Sequence, residues 1–183
     1  MSAEASEPPG SCGECVMCCE WLDIETEGLS KKAGVLCEHC TDGGCGIYQT
    51  RPVLCRTFFC GWRLIPQLGP DWRPDRSGVM ILLVTNPPPQ FTGAQTGFNF
   101  VVLGGDGSIL KPGFAEYVSL LVSRQVAVYL SADSPKTLIN EYLAPLVAAR
   151  DVAGVTRMLL HIYHLHLEAR QTGLVPRPAS EPD

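Results

Sequence analysis

Residues 12–60 read CGECVMCCEWLDIETEGLSKKAGVLCEHCTDGGCGIYQTRPVLCRTFFC and contain all nine cysteines of the chain. The other two thirds of the sequence contain none. Core packing would scatter buried cysteines along the whole chain, so this clustering indicates a local chemical role. Clustered cysteines serve metal ligation, disulfide bonding or thiol redox chemistry.

The overall composition is that of one globular domain of ordinary size. The chain has 183 residues, of which 45% are hydrophobic and 18% are charged. This length can bury a substantial core without disulfides to hold it together. A net charge of −5 argues against nucleic acid as a partner, because no basic surface is indicated.

The N-terminal residues and the apolar runs bear on the compartment. The first eleven residues, MSAEASEPPGS, are acidic and lack an apolar run, so no signal peptide is expected. The longest apolar runs are too short or too polar to span a bilayer. We therefore expect a cytoplasmic protein with no membrane partner. A reducing cytosol disfavours structural disulfides, and an odd number of cysteines cannot pair completely within one chain.

The sequence predicts an α+β fold with four regions. Residues 1–11 and 174–183 have the composition of disordered tails. Residues 12–62 form an irregular cysteine-rich region, in which 15–22 can form a short helical turn. Residues 63–173 form the remainder, packed with it as one unit. That remainder should comprise a small antiparallel sheet and about three C-terminal helices.

Strand patterns occur at 79–84 and 98–103, where β-branched and aromatic residues lie between turn-forming residues. A third short strand is predicted at 108–110, after a hairpin turn over 105–107.

Helical spacing follows these strands. The first predicted helix carries an apolar face from Phe114 to Tyr129. The second begins with Ser134 as N-cap and Pro135 as its first residue. The third is capped by Asp151 and runs to about residue 170, with Gly173 as its predicted C-terminal stop.

The cysteine spacing favours metal ligation. In Cys12-x-x-Cys15-x-x-Cys18-Cys19, each two-residue gap lets two thiolates reach one ion. Cys18 and Cys19 are adjacent, so their side chains diverge and suit two neighbouring sites. Eight sulfurs could fill two four-coordinate sites, whereas nine could form a three-metal cluster with bridging thiolates. The candidate ligands are Cys12, Cys15, Cys18, Cys19, Cys37, Cys40, Cys45, Cys55 and Cys60.

Residues 12–60 resemble the YkgJ-type cysteine-cluster family, a zinc- or iron-chelating domain with a CxxCxxCC signature. The resemblance rests on that signature, on Cys37, and on the segment CGIYQTRPVLCR at 45–56. Cys40, beside His39, lies outside the family pattern.

The resemblance implies metal chelation, and both zinc and iron stay open. Thiolates suit zinc, copper(I) and iron–sulfur clusters alike. A related cluster attached to flagellin lysine methylases is expected to be an iron–sulfur centre. Arg51 and Arg56 are expected to direct guanidinium groups at the thiolates. Tyr48 is expected to pack beside the cluster, and Pro52 to fix the turn between Cys45 and Cys55.

Three functions compete at this point. The first is a metal-binding protein whose cysteine cluster is structural or handles metal. The second is an iron–sulfur protein in electron transfer or an enzyme accessory. The third, a thiol–disulfide oxidoreductase, is disfavoured because its CxxC pairs lack the expected strand-to-helix setting. No general base, nucleophile or substrate pocket is identifiable, so no enzyme activity is predicted. The helical histidines His161, His164 and His166 are expected to be ordinary surface or half-buried side chains.

Overall fold

The computed structural model describes residues 12–42, 44–132 and 135–172. The two predicted tails, the proposed N-cap Ser134 and the proposed helix stop Gly173 lie outside these ranges. Within them the chain combines helices with small sheets, which confirms the α+β class.

The cysteine-rich region consists of short elements joined by irregular backbone. A five-residue helix confirms the predicted turn, and two small antiparallel hairpins follow it. In chain order the elements are α1 (Met17–Trp21), β1 (Ile24–Thr26), β2 (Leu29–Lys31), β3 (Cys40–Thr41), β4 (Gly44–Cys45), a 3-10 turn (Tyr48–Thr50), α2 (Val53–Thr57) and α3 (Gly61–Leu64).

The remainder of the chain is built on one four-stranded sheet with helices packed on it. A second 3-10 turn (Pro70–Trp72) leads into these elements. In chain order they are α4 (Pro74–Ser77), β5 (Val79–Thr85), β6 (Thr96–Val102), α5 (Asp106–Ile109), α6 (Phe114–Ser123), β7 (Val128–Ser131), β8 (Thr137–Leu138), α7 (Asn140–Ala148) and α8 (Val152–Gln171).

The strand order is β5-β6-β7-β8. The pairings of β5 with β6 and of β7 with β8 are antiparallel, as the sequence predicts for the sheet. The central pairing of β6 with β7 is parallel, because α5 and α6 carry the chain back across the sheet. Both strands predicted from β-branched and aromatic content, at 79–84 and 98–103, are confirmed.

The predicted third strand at 108–110 is wrong. Residues 106–109 form α5 instead, and Leu110 N–H donates to the Asp106 carbonyl. The reason is that β6 already pairs with β5 on one side and β7 on the other. A hairpin strand following β6 would therefore find no open edge to join.

The first predicted helix extends too far. Helix α6 ends at Ser123, and Gln125 adopts a left-handed conformation with φ 55°. Val128 and Tyr129 then belong to β7, whose four residues are all buried. A short, fully buried strand has no polar face, so its residues match helical spacing as well as strand spacing.

The second helix also begins later than predicted, and the third is confirmed. Residues 137–138 pair with β7 as β8, so α7 starts at Asn140 rather than at Pro135. Helix α8 spans 152–171, and the Asp151 carboxylate accepts a hydrogen bond from Gly154 N–H at 2.7 Å as predicted.

Two hydrophobic cores hold the described residues together. The larger core lies between the sheet and α6, α7 and α8, with Phe100, Leu130 and Leu143 fully buried. The smaller core comprises only Ile24, Leu29 and Cys37 as buried members. Helix α3 joins the cysteine-rich region to β5, and Trp62 and Trp72 pack on the larger core.

Candidate metal centre

All nine cysteines lie in the described residues, and all are unpaired thiols. Cys37 is buried, and the other eight are half-buried. They come from loops, short helices and a hairpin, so their positions depend on tertiary contacts rather than on one element. The structure brings them around two adjoining cavities.

The larger cavity has about 70 Å³ of room for water-sized occupants. Seven cysteines line it together with apolar side chains such as Ile24, Leu29 and Phe58. These cysteines are Cys12, Cys15, Cys18, Cys19, Cys37, Cys45 and Cys55.

The smaller cavity, of about 30 Å³, lies beside the first, towards the sheet. Its cysteines are Cys12, Cys15, Cys18 and Cys60. Trp62 and Met80 close it on the side of the large core. Among the described residues, no His, Asp or Glu lines either cavity, and the sulfur donors there are those of the cysteines and, at the smaller cavity, the thioethers of Met17 and Met80.

The neighbours Cys18 and Cys19 differ in their surroundings. A hydrogen bond between the two sulfurs, with burial, raises the pKa of Cys18, and the nearby Cys12 and Cys15 sulfurs add to this effect. The same hydrogen bond lowers the pKa of Cys19 to about 6, although its burial opposes the shift. Cys19 is therefore the thiol that loses its proton most easily within this pair.

Three further cysteines cluster near Cys19, namely Cys37, Cys40 and Cys45. Cys37 N–H donates to the Cys19 carbonyl at 2.9 Å. Cys40 and Cys45 are paired across the β3–β4 hairpin, which places both side chains on one face. Burial raises the pKa of Cys40, and the sulfurs of Cys19, Cys37 and Cys45 raise it further. Cys40 lines neither cavity.

Two buried cations approach the thiols, and the sequence analysis missed both. Lys31 is 7% exposed, and its ammonium group donates to the carbonyls of Glu20, Leu22 and Lys32. Its charge contributes to the lowered pKa of Cys19. Arg63 is 3% exposed, and its Nη1 donates to Cys12 Sγ at 3.6 Å. Neither cation lies within the CGIYQTRPVLCR segment, whose arginines Arg51 and Arg56 are the ones predicted to lie near the thiolates.

The two arginines expected at the cluster, Arg51 and Arg56, have different surroundings. Arg51 donates from Nε to the Tyr48 carbonyl at 2.8 Å and stacks on the Tyr48 ring, 3.6 Å from its centroid. Its charge adds to the lowering of the Cys19 pKa, whereas burial and the neighbouring cysteine sulfurs raise the pKa of Cys55 and the Arg51 charge only partly opposes that rise. Arg56 is exposed on α2. Pro52 precedes α2 and begins the segment that carries Cys55.

Cys15 has an acidic neighbour that the sequence does not indicate. Arg73 donates to the carboxylate of Asp75 on α4, from Nε to Oδ1 at 2.7 Å and from Nη2 to Oδ2 at 2.8 Å. Burial raises the pKa of Cys15, and a hydrogen bond with the Asp75 carboxylate adds to the shift. Cys15 would have to release this proton before its sulfur could ligate a metal ion.

The chemistry of the donor set fits a metal ion, whereas the side-chain positions are not yet those of a coordination sphere. Within residues 12–42, 44–132 and 135–172, no three His, Cys, Asp or Glu side chains converge on one point as ligands do. A cysteine has a single χ1 torsion, so a modest rotation moves its sulfur without moving the backbone. Coordination by these residues therefore requires thiol rotations into the cavities.

The helical histidines lie away from the thiols. His164 contacts Asp106 at 2.8 Å, and His166 contacts Thr137 at 3.0 Å. His161 is exposed on α8. Each therefore has an ordinary structural setting, as predicted.

Comparison with known proteins adds no relative. No family model, no curated protein and no solved structure matches the chain. Within the described part of the chain, no helix is both long and apolar enough to cross a bilayer.

Proposed function

We propose that this protein binds zinc or iron through its cysteine cluster, in a structural or metal-handling role. The observation that carries the proposal is the gathering of seven unpaired cysteines around one cavity of about 70 Å³. These cysteines come from positions as far apart in sequence as Cys12 and Cys55, so local spacing alone does not account for their meeting.

Cavity size favours an ion over an organic ligand. Sites for small organic molecules have volumes of about 300–1,000 Å³. The two cysteine-lined cavities have about 70 and 30 Å³ of room, which suits an ion or a compact cluster. The thiol-only donor set excludes neither zinc nor iron, because both accept thiolate ligands.

The buried cations support the same function. Four thiolates around a divalent ion carry a net charge of −2, which is costly in an apolar setting. Arg63 beside Cys12 and Lys31 near Cys19 would offset part of that charge.

The sequence resemblance is part of the proposal. The CxxCxxCC signature and the CGIYQTRPVLCR segment support membership of the YkgJ-type family and its chelating function. We further propose a cytosolic location, because reducing conditions keep thiols available as ligands.

Elemental analysis of anaerobically purified full-length protein, with an absorption spectrum of the same sample, tests the proposal. We expect zinc or iron in stoichiometric amount, retained through gel filtration. The control is the protein denatured and alkylated at its thiols, which should retain none. A metal-free preparation that stays folded and has nine titratable thiols would overturn the proposal.

An iron–sulfur protein in electron transfer or an enzyme accessory is the second candidate. The cysteine-rich lining, without His, Asp or Glu among its described residues, is consistent with it, because such clusters are held by cysteine thiolates. It predicts a brown anaerobic preparation that absorbs visible light and releases sulfide on acidification. A colourless preparation with stoichiometric zinc would reject this candidate and retain the first.

A further inference from the structure

We propose that the thiols form two separate metal centres, which adjoin at Cys18 and Cys19 of α1. The first centre uses Cys12, Cys15, Cys18 and Cys60. The second uses Cys19, Cys37, Cys45 and Cys55. This inference rests on the proposed metal-binding function and goes further by assigning each thiol to one ion or cluster.

The division begins at Cys18 and Cys19. Both lie in α1, and consecutive helical residues point about 100° apart around the axis. Cys18 lines both cavities, whereas Cys19 lines only the larger one. The two sulfurs hydrogen-bond to each other, contrary to the divergence that the sequence predicts, so the two cavities adjoin at this pair and Cys19 belongs to the larger cavity alone.

The first centre lies against the large core. Cys60 lines the smaller cavity but not the larger one, and it shares the smaller cavity with Cys12, Cys15 and Cys18. Cys15 N–H donates to the Cys12 carbonyl at 3.0 Å, so these two cysteines occupy one tight turn. Four thiols from two segments thus surround about 30 Å³.

The second centre is built on the small core. Cys37 belongs to that core and is tied by its N–H to the Cys19 carbonyl. Cys55 packs on the same core from α2, and Cys45 lines the cavity from β4. Cys19, Cys37, Cys45 and Cys55 line the larger cavity and are absent from the smaller one.

Each centre has its own buried cation. The Arg63 guanidinium contacts Cys12 of the first centre at 3.6 Å. The Lys31 ammonium lies near Cys19 of the second centre, held by three carbonyls. Two four-thiolate centres would each carry an uncompensated negative charge, so two cations at separate positions match two centres better than one.

Cys40 is left over in this assignment. It lines neither cavity, although it faces Cys45 across the hairpin, packs on the small core and has Cys19 as a hydrogen-bond partner, a bond for which serine keeps a hydroxyl group. Replacing it should leave both centres intact. Cys40→Ser is therefore a matched control for substitutions of the eight assigned cysteines.

The test uses the full chain reconstituted anaerobically with zinc, with bound metal counted per chain. We expect two ions in the unmodified protein, one in Cys60→Ser, one in Cys45→Ser and two in Cys40→Ser. Reconstitution of the unmodified chain with cadmium, followed by cadmium NMR, gives an answer even where a variant fails to fold. Two resonances without cadmium–cadmium coupling are expected.

The outcomes separate this inference from the function on which it rests. Loss of both ions from either single variant would overturn the two-centre assignment. Coupled cadmium resonances would do the same, because they indicate bridging thiolates in one cluster. Both results would leave metal binding itself standing. Absence of bound metal from the unmodified chain would overturn the proposed function and this inference together.

Discussion

Arg63 is buried in the fold and also contacts a candidate metal ligand. It is almost fully buried, lies over the Phe59 ring at 4.9 Å and donates to Cys12 Sγ. A buried cation is costly unless a partner offsets its charge. A metal-thiolate centre at Cys12 would add negative charge beside this guanidinium.

We expect Arg63→Gln to weaken metal retention. Removing a group that supports a ligand typically costs about 10- to 100-fold in metal affinity. Competition with a chromophoric chelator measures the change, and the exposed Arg56→Gln is the matched control. Equal affinities for the two variants would contradict a role for Arg63 beside the thiolates.

Sequence reasoning found the ligand candidates but not their cationic neighbours. Cysteine spacing is visible in the sequence, whereas Arg63 and Cys12 are separated by 51 positions and meet only in the folded chain. Burial alternates along β2, so that Leu29 and Lys31 are buried and Ser30 is exposed. The sequence alone does not show that a lysine occupies one of the buried positions. Arg51 is predictable as a neighbour of the thiols because it lies between the candidate ligands Cys45 and Cys55 in the sequence.

At the scale of elements, the contact between α3 and β5 joins the cysteine-rich region to the sheet. Gly61 opens α3 and lies directly against Ile81. A Cβ at position 61 would come within 2.6 Å of the Ile81 Cγ2 atom and 2.8 Å of its Cβ. The helix can approach the strand this closely only with glycine there.

Gly61→Ala should therefore destabilise the protein by about 1–3 kcal/mol, the usual cost of overpacking a core. Gly69→Ala is the control, because a Cβ there would meet no atom within 4 Å. Thermal unfolding measures both. A Gly61→Ala protein as stable as the Gly69→Ala protein would show that α3 does not dock closely on β5.

Asn140 ties the start of α7 to the sheet. Its side-chain oxygen accepts from Val128 N–H and its side-chain nitrogen donates to the Val126 carbonyl, both at 2.8 Å. Asn140→Ala leaves two buried backbone groups without these partners, so we expect a loss of about 2–4 kcal/mol. Denaturant unfolding measures it, with exposed Glu141→Ala as control. A loss no larger than that of the control would contradict this role.

The elements that the sequence predicted correctly carry a local sequence pattern that distinguishes a helix from a strand. Asp151 with the amphipathic α8, and the long strands β5 and β6, were all found. β7 and β8 were missed because one is buried throughout and the other has two residues. Their strand character comes from pairing with β6 and with each other, which local composition does not reveal.

At the scale of the molecule, the two cores differ greatly in size. The sheet and its helices bury an extensive apolar core, whereas the small core of the cysteine-rich region has Ile24, Leu29 and Cys37 as its buried members among the described residues. So small a core contributes little to the stability of the cysteine-rich region. Metal–thiolate bonds would supply the remaining stability of this region. Structural zinc can contribute on the order of 10 kcal/mol to folding.

Removing the metal should therefore unfold one part and spare the other. After chelation we expect rapid hydrogen exchange throughout residues 12–60, while α6 and α8 stay protected. Exchange measured by mass spectrometry, with and without chelator, resolves the two parts of the chain. The same protection in residues 12–60 before and after confirmed metal loss would contradict a stabilising role for the metal.

X-ray absorption at the edge of the metal found in the purified protein tests the central claim most directly, because it identifies the atoms bound to the ion. Coordination by the cysteine cluster predicts nearest neighbours that are all sulfur, at about 2.3 Å if the ion is zinc. Nearest neighbours dominated by nitrogen or oxygen would contradict the account, since the described residues that line the two cavities offer cysteine sulfur as their metal-ligating side chain.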